Sequence, residues 1–447
     1  MSTAKAYRRE EERHFARTSK SRRLAEEAKK YLPGGNTRAA AWLDPYPVFA
    51  VRGQGAHIYD ADGNKYLDFL INATSLILGH AHPAVVSALQ EQATMGTAFA
   101  NPTESQVRLA KMLCERVPSV ERVRFTNSGT EATINAIRAA RAYTGRPKIA
   151  KFEGTYHGVY DYVSVSVKPP LDKAGRKNAP KAVAGDPSVT ASVVKDVVIL
   201  PFNDLESSEK ILRKHAHELS CVIMEPIVSM LGYVVGDLEF LQGIRRITEE
   251  LEIVLIYDEV QSLRLGRGGA QEMYGVRPDL STFGKTIGGG LPVGAFGGKK
   301  EIMALFDPSE GNAALPHAGT FNANPMTMVA GATVLEHLTP GIYKRLNSLG
   351  DRARQKLQAT FDEMDVPAKL TGVGSLYGIH FTDKPVKDYR DAARADQELR
   401  KCLVLGLQNE GVILYERATG AIAVPHSDDD VDLLVEATRK VIQRARG

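Results

Sequence analysis

The chain has 447 residues, 43% hydrophobic and 25% charged, with 57 basic and 53 acidic side chains and a net charge of +4. The length exceeds one simple core and fits two packed domains, and the composition excludes disordered and fibrous classes. A charge so nearly balanced gives no basis for a nucleic-acid partner.

The segment Met1 to Arg17 is highly charged and has no apolar core, unlike a secretory signal. No stretch reaches the roughly 18 apolar residues of a membrane helix, so no membrane partner is expected. Cys114, Cys221 and Cys402 lie far apart without metal-ligand spacing. Buried thiols in a reducing compartment, no metal and a cytoplasmic location are the expectations.

Residues 1–32 read as a charged helical arm. Within it Lys20, Arg22 and Arg23 run into Glu26, Glu27, Lys29 and Lys30, a mixed solvated face. Pro33-Gly34-Gly35 breaks the arm. Residues 48–70 alternate short strands and turns, and Asp60-Ala61-Asp62-Gly63-Asn64 has hairpin-turn chemistry.

A strand–helix rhythm starts near residue 120. Val123–Thr126 reads as a strand, and Thr130–Tyr143 as an alanine-rich helix ended by Gly145. Apolar runs follow at Val197–Leu200, Cys221–Met224 and Ile253–Tyr257, with helical segments such as Leu238–Leu251 between them. This alternation predicts a mainly parallel sheet covered on both faces. Beyond residue 326 the pattern changes. Helices are expected at Pro325–Leu338, Arg345–Met364 and Asp429–Arg446, with a strand at Leu376–Phe381. The expected division is 1–70 as an arm and part of a small domain, 71–325 as a large domain, and 326–447 as the rest of the small one. The two chain ends are expected to pack together.

Four segments carry chemistry. Asp258 ends an apolar strand, where ligands bind in open α/β sheets, and a carboxylate there needs a cationic partner. Lys285 follows another short apolar strand and precedes Gly288-Gly289-Gly290, which let backbone approach a bulky ligand. Such a lysine is suited to imine chemistry. Thr126-Asn127-Ser128-Gly129-Thr130-Glu131 lies between a strand and a helix and reads as an anion site at a helix N-terminus. An ordinary cap by Ser128 or Thr130 is the plainer alternative. Phe152-Glu153-Gly154-Thr155-Tyr156-His157-Gly158 places an aromatic beside glycine after a strand, able to lie against a ring.

Rival motifs fail. A phosphate-binding loop ending at Gly284-Lys285-Thr286 needs glycine where Asp279 stands. Gly372-Val373-Gly374 has Tyr377 where a dinucleotide fingerprint needs its third glycine, and a non-catalytic scaffold or regulator has no basic stripe or paired helices in its favour.

In this order the four segments resemble the class III aminotransferases of pyridoxal-phosphate fold type I. The resemblance implies an α/β fold with a large domain built on a mainly parallel seven-stranded sheet, plus a smaller α+β domain. It implies pyridoxal 5′-phosphate as cofactor. Lys285 matches the Schiff-base lysine and Asp258 the carboxylate paired with the pyridine nitrogen; these two are the expected catalytic residues. Ser128, Gly129 and Thr130 match the phosphate cup. Tyr156 matches the stacking aromatic, with His157 beside it, and Val260 the residue on the other ring face. Thr320, in His317-Ala318-Gly319-Thr320-Phe321-Asn322, matches a threonine that reaches the phosphate of the neighbouring subunit, implying a homodimer with cofactor sites at its interface.

Two relatives compete for the reaction. Gly288–Gly298 and Lys151-Phe152-Glu153-Gly154 resemble glutamate-1-semialdehyde aminomutase. That enzyme carries Asn-Ser-Pro-Val-Arg near its start, whereas this chain has Gly35-Asn36-Thr37-Arg38-Ala39-Ala40. The latter, with Ala41-Trp42-Leu43-Asp44-Pro45-Tyr46-Pro47 after it, resembles the β-amino-acid aminotransferases, as does Phe321-Asn322-Ala323-Asn324-Pro325. The expected substrates are therefore a small amine, foremost a β-amino acid, and a keto acid. Arg38 is the expected holder of the substrate carboxylate, and Arg417 a candidate for that of the acceptor.

Overall fold

The computed structural model describes residues 3–38, 42–309, 311 and 313–446, so Ala39, Ala40 and Ala41 of the Arg38 stretch lie outside the described residues. The chain forms two units. One comprises Met1–Pro83, Lys344–Val386 and Arg394–Gly447; the other comprises Ala84–Tyr343 with Lys387–Ala393. The boundaries expected at residues 70 and 325 fall earlier in the chain than these.

The larger unit is built on a seven-stranded sheet. Its strands are β1 (Arg122–Thr126), β2 (Lys148–Phe152), β3 (Val197–Leu200), β4 (Leu219–Met224), β5 (Val254–Asp258), β6 (Leu280–Gly284) and β7 (Gly294–Gly298). They lie in the order β1-β7-β6-β5-β4-β2-β3. Strands β6, β5, β4, β2 and β3 pair in parallel; β7 runs antiparallel to both β6 and β1. The reversal has a simple cause: a parallel crossover needs about a dozen residues or more, and only residues 285–293 separate β6 from β7. Strand β7 reads Gly-Ala-Phe-Gly-Gly, a sequence with almost no strand propensity. Neighbouring backbone fills the space instead. A Cβ on Gly294 would lie 2.0 Å from the Ser128 carbonyl, and one on Gly298 would lie 2.1 Å from that of Asp279.

Helix Gly129–Thr144 packs on this sheet. Ser128 caps its start by accepting the Glu131 N–H, and Gly145 ends it with φ of 68°. Its buried face is Ala132, Ala136, Ile137, Ala139 and Ala140, set among Ile149, Cys221, Ile223, Val254, Ile256 and Phe296. Alanine allows the close helix–sheet approach, and β-branched side chains fill the sheet face. Cys221 and Cys402 are buried, as expected; Cys114 is half-buried.

In the smaller unit, Ala50–Gln54, His57–Asp60 and Lys65–Asp68 form an antiparallel meander, which Val412–Ile413 joins in parallel. The expected turn after Asp60 forms because the Asp60 carboxylate accepts the N–H groups of Asp62 and Asn64 and the Tyr66 hydroxyl. Buried Glu10, on helix Thr3–Arg17, accepts from Asn409 at 2.9 Å and Arg444 at 2.8 Å. These bonds tie the start of the chain to its final helices, Gln397–Asn409 and Asp428–Arg446. Among the described residues, no helix is long and apolar enough to cross a membrane.

Candidate active site

Parallel strands put their carboxyl ends on one edge of the sheet, and the loops that leave there share a crevice. In this chain those loops deliver Asp258 from β5, Glu225 after β4, Tyr156 and His157 after β2, and Lys285 after β6. The antiparallel partner β1 runs into Gly129 and Thr130 at the start of its helix. Together they line a cavity of about 210 Å³.

Asp258 is buried. Its Oδ2 lies 2.9 Å from His157 Nδ1, and its Oδ1 accepts the Val260 N–H at 3.1 Å. Lys285 has a φ of 49°, a left-handed conformation that a side chain rarely adopts. Such strain persists where surrounding structure enforces it, often at functional sites. Gly129 keeps the opposite wall thin: a Cβ there would sit 3.2 Å from Val260 Cγ2. Tyr156 is part-exposed at the cavity wall, and its backbone N–H donates to Glu225 Oε2 at 3.2 Å.

The structure thus gathers Lys285, Asp258, Gly129, Thr130, Tyr156, His157 and Val260 around one cavity. Ser128 acts as the helix cap and does not line it. Thr320 is exposed and does not line it either. Arg38 and Arg417 belong to the smaller unit. Arg38 donates to Asn72 Oδ1 at 2.6 Å, while Arg417 lies 4.3 Å over the Tyr415 ring and pairs with Glu416 at 3.2 Å.

Sequence reasoning missed Glu225, Ser229 and Gln261, which also line the cavity, as do Gly158 and Val293 from the segments at 152–158 and 288–298. Glu225 had a usable signal, because it follows the apolar run Cys221–Met224 as Asp258 follows its own. Burial pushes the Glu225 carboxyl up, and its Oε1 accepts both the backbone N–H and the hydroxyl of Ser229. Beneath the loop lies Lys151, fully buried, its Nζ donating to the carbonyls of Thr155 at 2.9 Å and Val165 at 2.8 Å.

These residues fit pyridoxal phosphate. The cavity offers an amine for the aldehyde, a buried carboxylate for a ring nitrogen and a helix N-terminus for phosphate. Gly129 leaves room that a side chain would fill.

The class-III aminotransferase family matches residues 38–437. The chain belongs to this family. It is a pyridoxal-phosphate-dependent enzyme. Glutamate-1-semialdehyde 2,1-aminomutase 2 of Geobacillus kaustophilus is 42% identical over 434 residues, 96% of this chain and 99% of that one. The solved omega-transaminase of Sphaerobacter thermophilus superposes with a TM-score of 0.93 at 46% identity, covering 96% of this chain and 98% of its own. The β-phenylalanine aminotransferase of Variovorax paradoxus gives 0.88 at 36%, covering 99% and 96%.

Burial pushes the Lys151 amine of this class-III enzyme down to about 7 from 10.5. The folded state therefore disfavours the charged amine. The resulting penalty on stability is complete below about pH 7 and fades as pH rises toward 10.5. Denaturant midpoints measured across this window should rise with pH in the wild type. Lys151→Met should lose that part of the slope, whatever constant cost the two freed carbonyls impose.

Proposed function

We propose that this enzyme moves an amino group from a β-amino acid or a related amine to a keto acid. The observation that carries the reading is Arg38, which lines a cavity of about 590 Å³ with the apolar side chains of Trp42, Leu43, Phe49 and Leu414. A fixed guanidinium beside an apolar surface suits a substrate with one carboxylate and a hydrophobic side chain. Among the described residues, Asn72 holds the guanidinium by one of its donors, leaving others for a ligand. The relationship to an omega-transaminase and a β-phenylalanine aminotransferase points the same way.

Lys285 would hold the cofactor, with Asp258 at its ring nitrogen, Gly129 and Thr130 at its phosphate, and Tyr156 and Val260 beside the ring. When bound, pyridoxal phosphate supplies an electron sink for the carbon that bears the substrate amine. Asp258 stabilises positive charge at the far end of that sink. The Lys285 amine would take the proton from the substrate carbon that bears the amine and hold it for delivery on the cofactor side. Exposed Thr320 would serve the phosphate of a partner subunit, which requires a homodimer.

A second reading is glutamate-1-semialdehyde aminomutase, in which the amino group shifts within one molecule. The glycine block at 288–298 favours it, and so do curated aminomutases 38–42% identical over most of the chain. Those curated relatives weigh more heavily for the mutase than for any one transaminase substrate.

A half-reaction followed by absorbance separates the two. A β-amino acid should bleach the yellow enzyme, and 2-oxoglutarate or pyruvate should restore the colour. Isomerised glutamate-1-semialdehyde with no response to β-amino acids would replace the transaminase reading by the mutase. Arg38→Ala should raise KM for a β-amino acid roughly 10- to 100-fold, the worth of a charge-assisted hydrogen bond. An amine without a carboxylate should be almost unaffected; equal losses for both would remove Arg38 from carboxylate binding. Asp258→Asn should retain cofactor yet lose most turnover, roughly 100-fold or more, and a near-normal rate would end its assigned role. Sedimentation should report a dimer, and a fully active monomer would exclude the Thr320 assignment.

A further inference from the structure

His157 touches Asp258 on one side and Thr155 on the other, and all three are buried. The Thr155 hydroxyl lies 2.7 Å from the Phe152 carbonyl. A carbonyl cannot donate, so the single hydroxyl proton is committed there. His157 Nε2 lies 3.1 Å from the same hydroxyl oxygen. With its own proton spent, that oxygen can only accept, so Nε2 must carry a proton.

The backbone holds this arrangement from several directions. Lys151 Nζ binds the Thr155 carbonyl at 2.9 Å, and the Thr155 N–H returns to Phe152. Thr133 Oγ1 shares its proton between the His157 carbonyl at 2.7 Å and that of Thr130 at 2.9 Å. The ring is thus pinned along its main chain and at one nitrogen.

At the other nitrogen, Nδ1 stands 2.9 Å from Asp258 Oδ2. A ring protonated on Nε2 alone would turn a bare lone pair on a carboxylate oxygen at hydrogen-bond distance. A proton between the two atoms turns that repulsion into a charge-assisted bond. We infer that Thr155 is a positioning residue that fixes His157 in its Nε2-protonated form, so that a second proton bridges His157 and Asp258.

Thr155 touches neither the carboxylate nor the cavity, yet it governs how Asp258 shares its charge. Among the buried ionisable groups nearby, burial favours the neutral form of Glu225, Lys151 and Glu259, while Glu153 pairs with Arg390. The inference holds whichever amine the enzyme uses, because it concerns the partner of Asp258 and not the substrate.

The test is nitrogen NMR on holoenzyme labelled in its histidines at about pH 8, where a free imidazole is neutral. His157 is recognised among the 11 histidines by the signals that vanish in His157→Asn. The wild type should show a proton-bearing Nε2. Thr155→Val keeps the shape and removes the hydroxyl. It should strip the proton from Nε2, leave Nδ1 donating to Asp258, shift the absorbance of the bound cofactor and slow turnover roughly tenfold. Thr155→Ser should restore all three. A bare Nε2 in the wild type overturns the inference without recourse to any variant. So does a Thr155→Val enzyme that melts earlier but keeps the wild-type nitrogen pattern, since that marks a merely structural threonine.

Discussion

A carboxylate taken out of water is costly unless positive charge or hydrogen bonds meet it. Asp258 sits at the end of a central strand with its two oxygens engaged by His157 and the Val260 N–H. The loop after β2 is anchored to supply that histidine, and the turn after β5 closes back on the same side chain. Gly129 and Val260 then meet across the opening. The geometry of the cavity follows from keeping this one charge satisfied while leaving a side of it open to a ligand.

Much of this was legible in the sequence. Asp258 and Lys285 each end an apolar run of strand length, and a parallel sheet converts that local pattern into a shared edge. Gly145 and Ser128 marked the ends of the alanine-rich helix. What escaped was set by long-range packing. Three of the five residues of β7 are glycine, and at Gly294 and Gly298 the Ser128 and Asp279 carbonyls occupy the space of a side chain, where a propensity reading sees only a flexible segment. Glu225 is brought beside the Tyr156 N–H from 69 positions away. In sequence Ser128 was open to either a cap or an anion site, and its geometry shows the cap.

The residue proposed to carry the reaction and the one proposed to bind substrate are also held by different means. Around Lys285 the walls are strand ends, anchored by a sheet whose pairing fixes their spacing. Arg38 instead lies on an irregular stretch, where a single side-chain bond to Asn72 sets its direction. Strand ends suit a group that must keep a fixed reacting geometry, and a loop suits one proposed to recognise a substrate.

Asn72 itself stands in an unusual place. Ile71, Asn72, Ala73 and Thr74 follow one another with φ of 40°, 50°, 53° and 73°. This is a short left-handed turn built without glycine, in a conformation that costs L-residues roughly 1–2 kcal/mol each. Asp68 holds its entrance by accepting the N–H groups of Leu70 and Ile71, and the Asn72 and Ser75 side chains bond within it. Four consecutive residues in so narrow an allowed region leave little room for small drifts of the backbone. An evolutionary path through these four positions would therefore favour residues that tolerate both hands of the backbone, glycine and asparagine first among them.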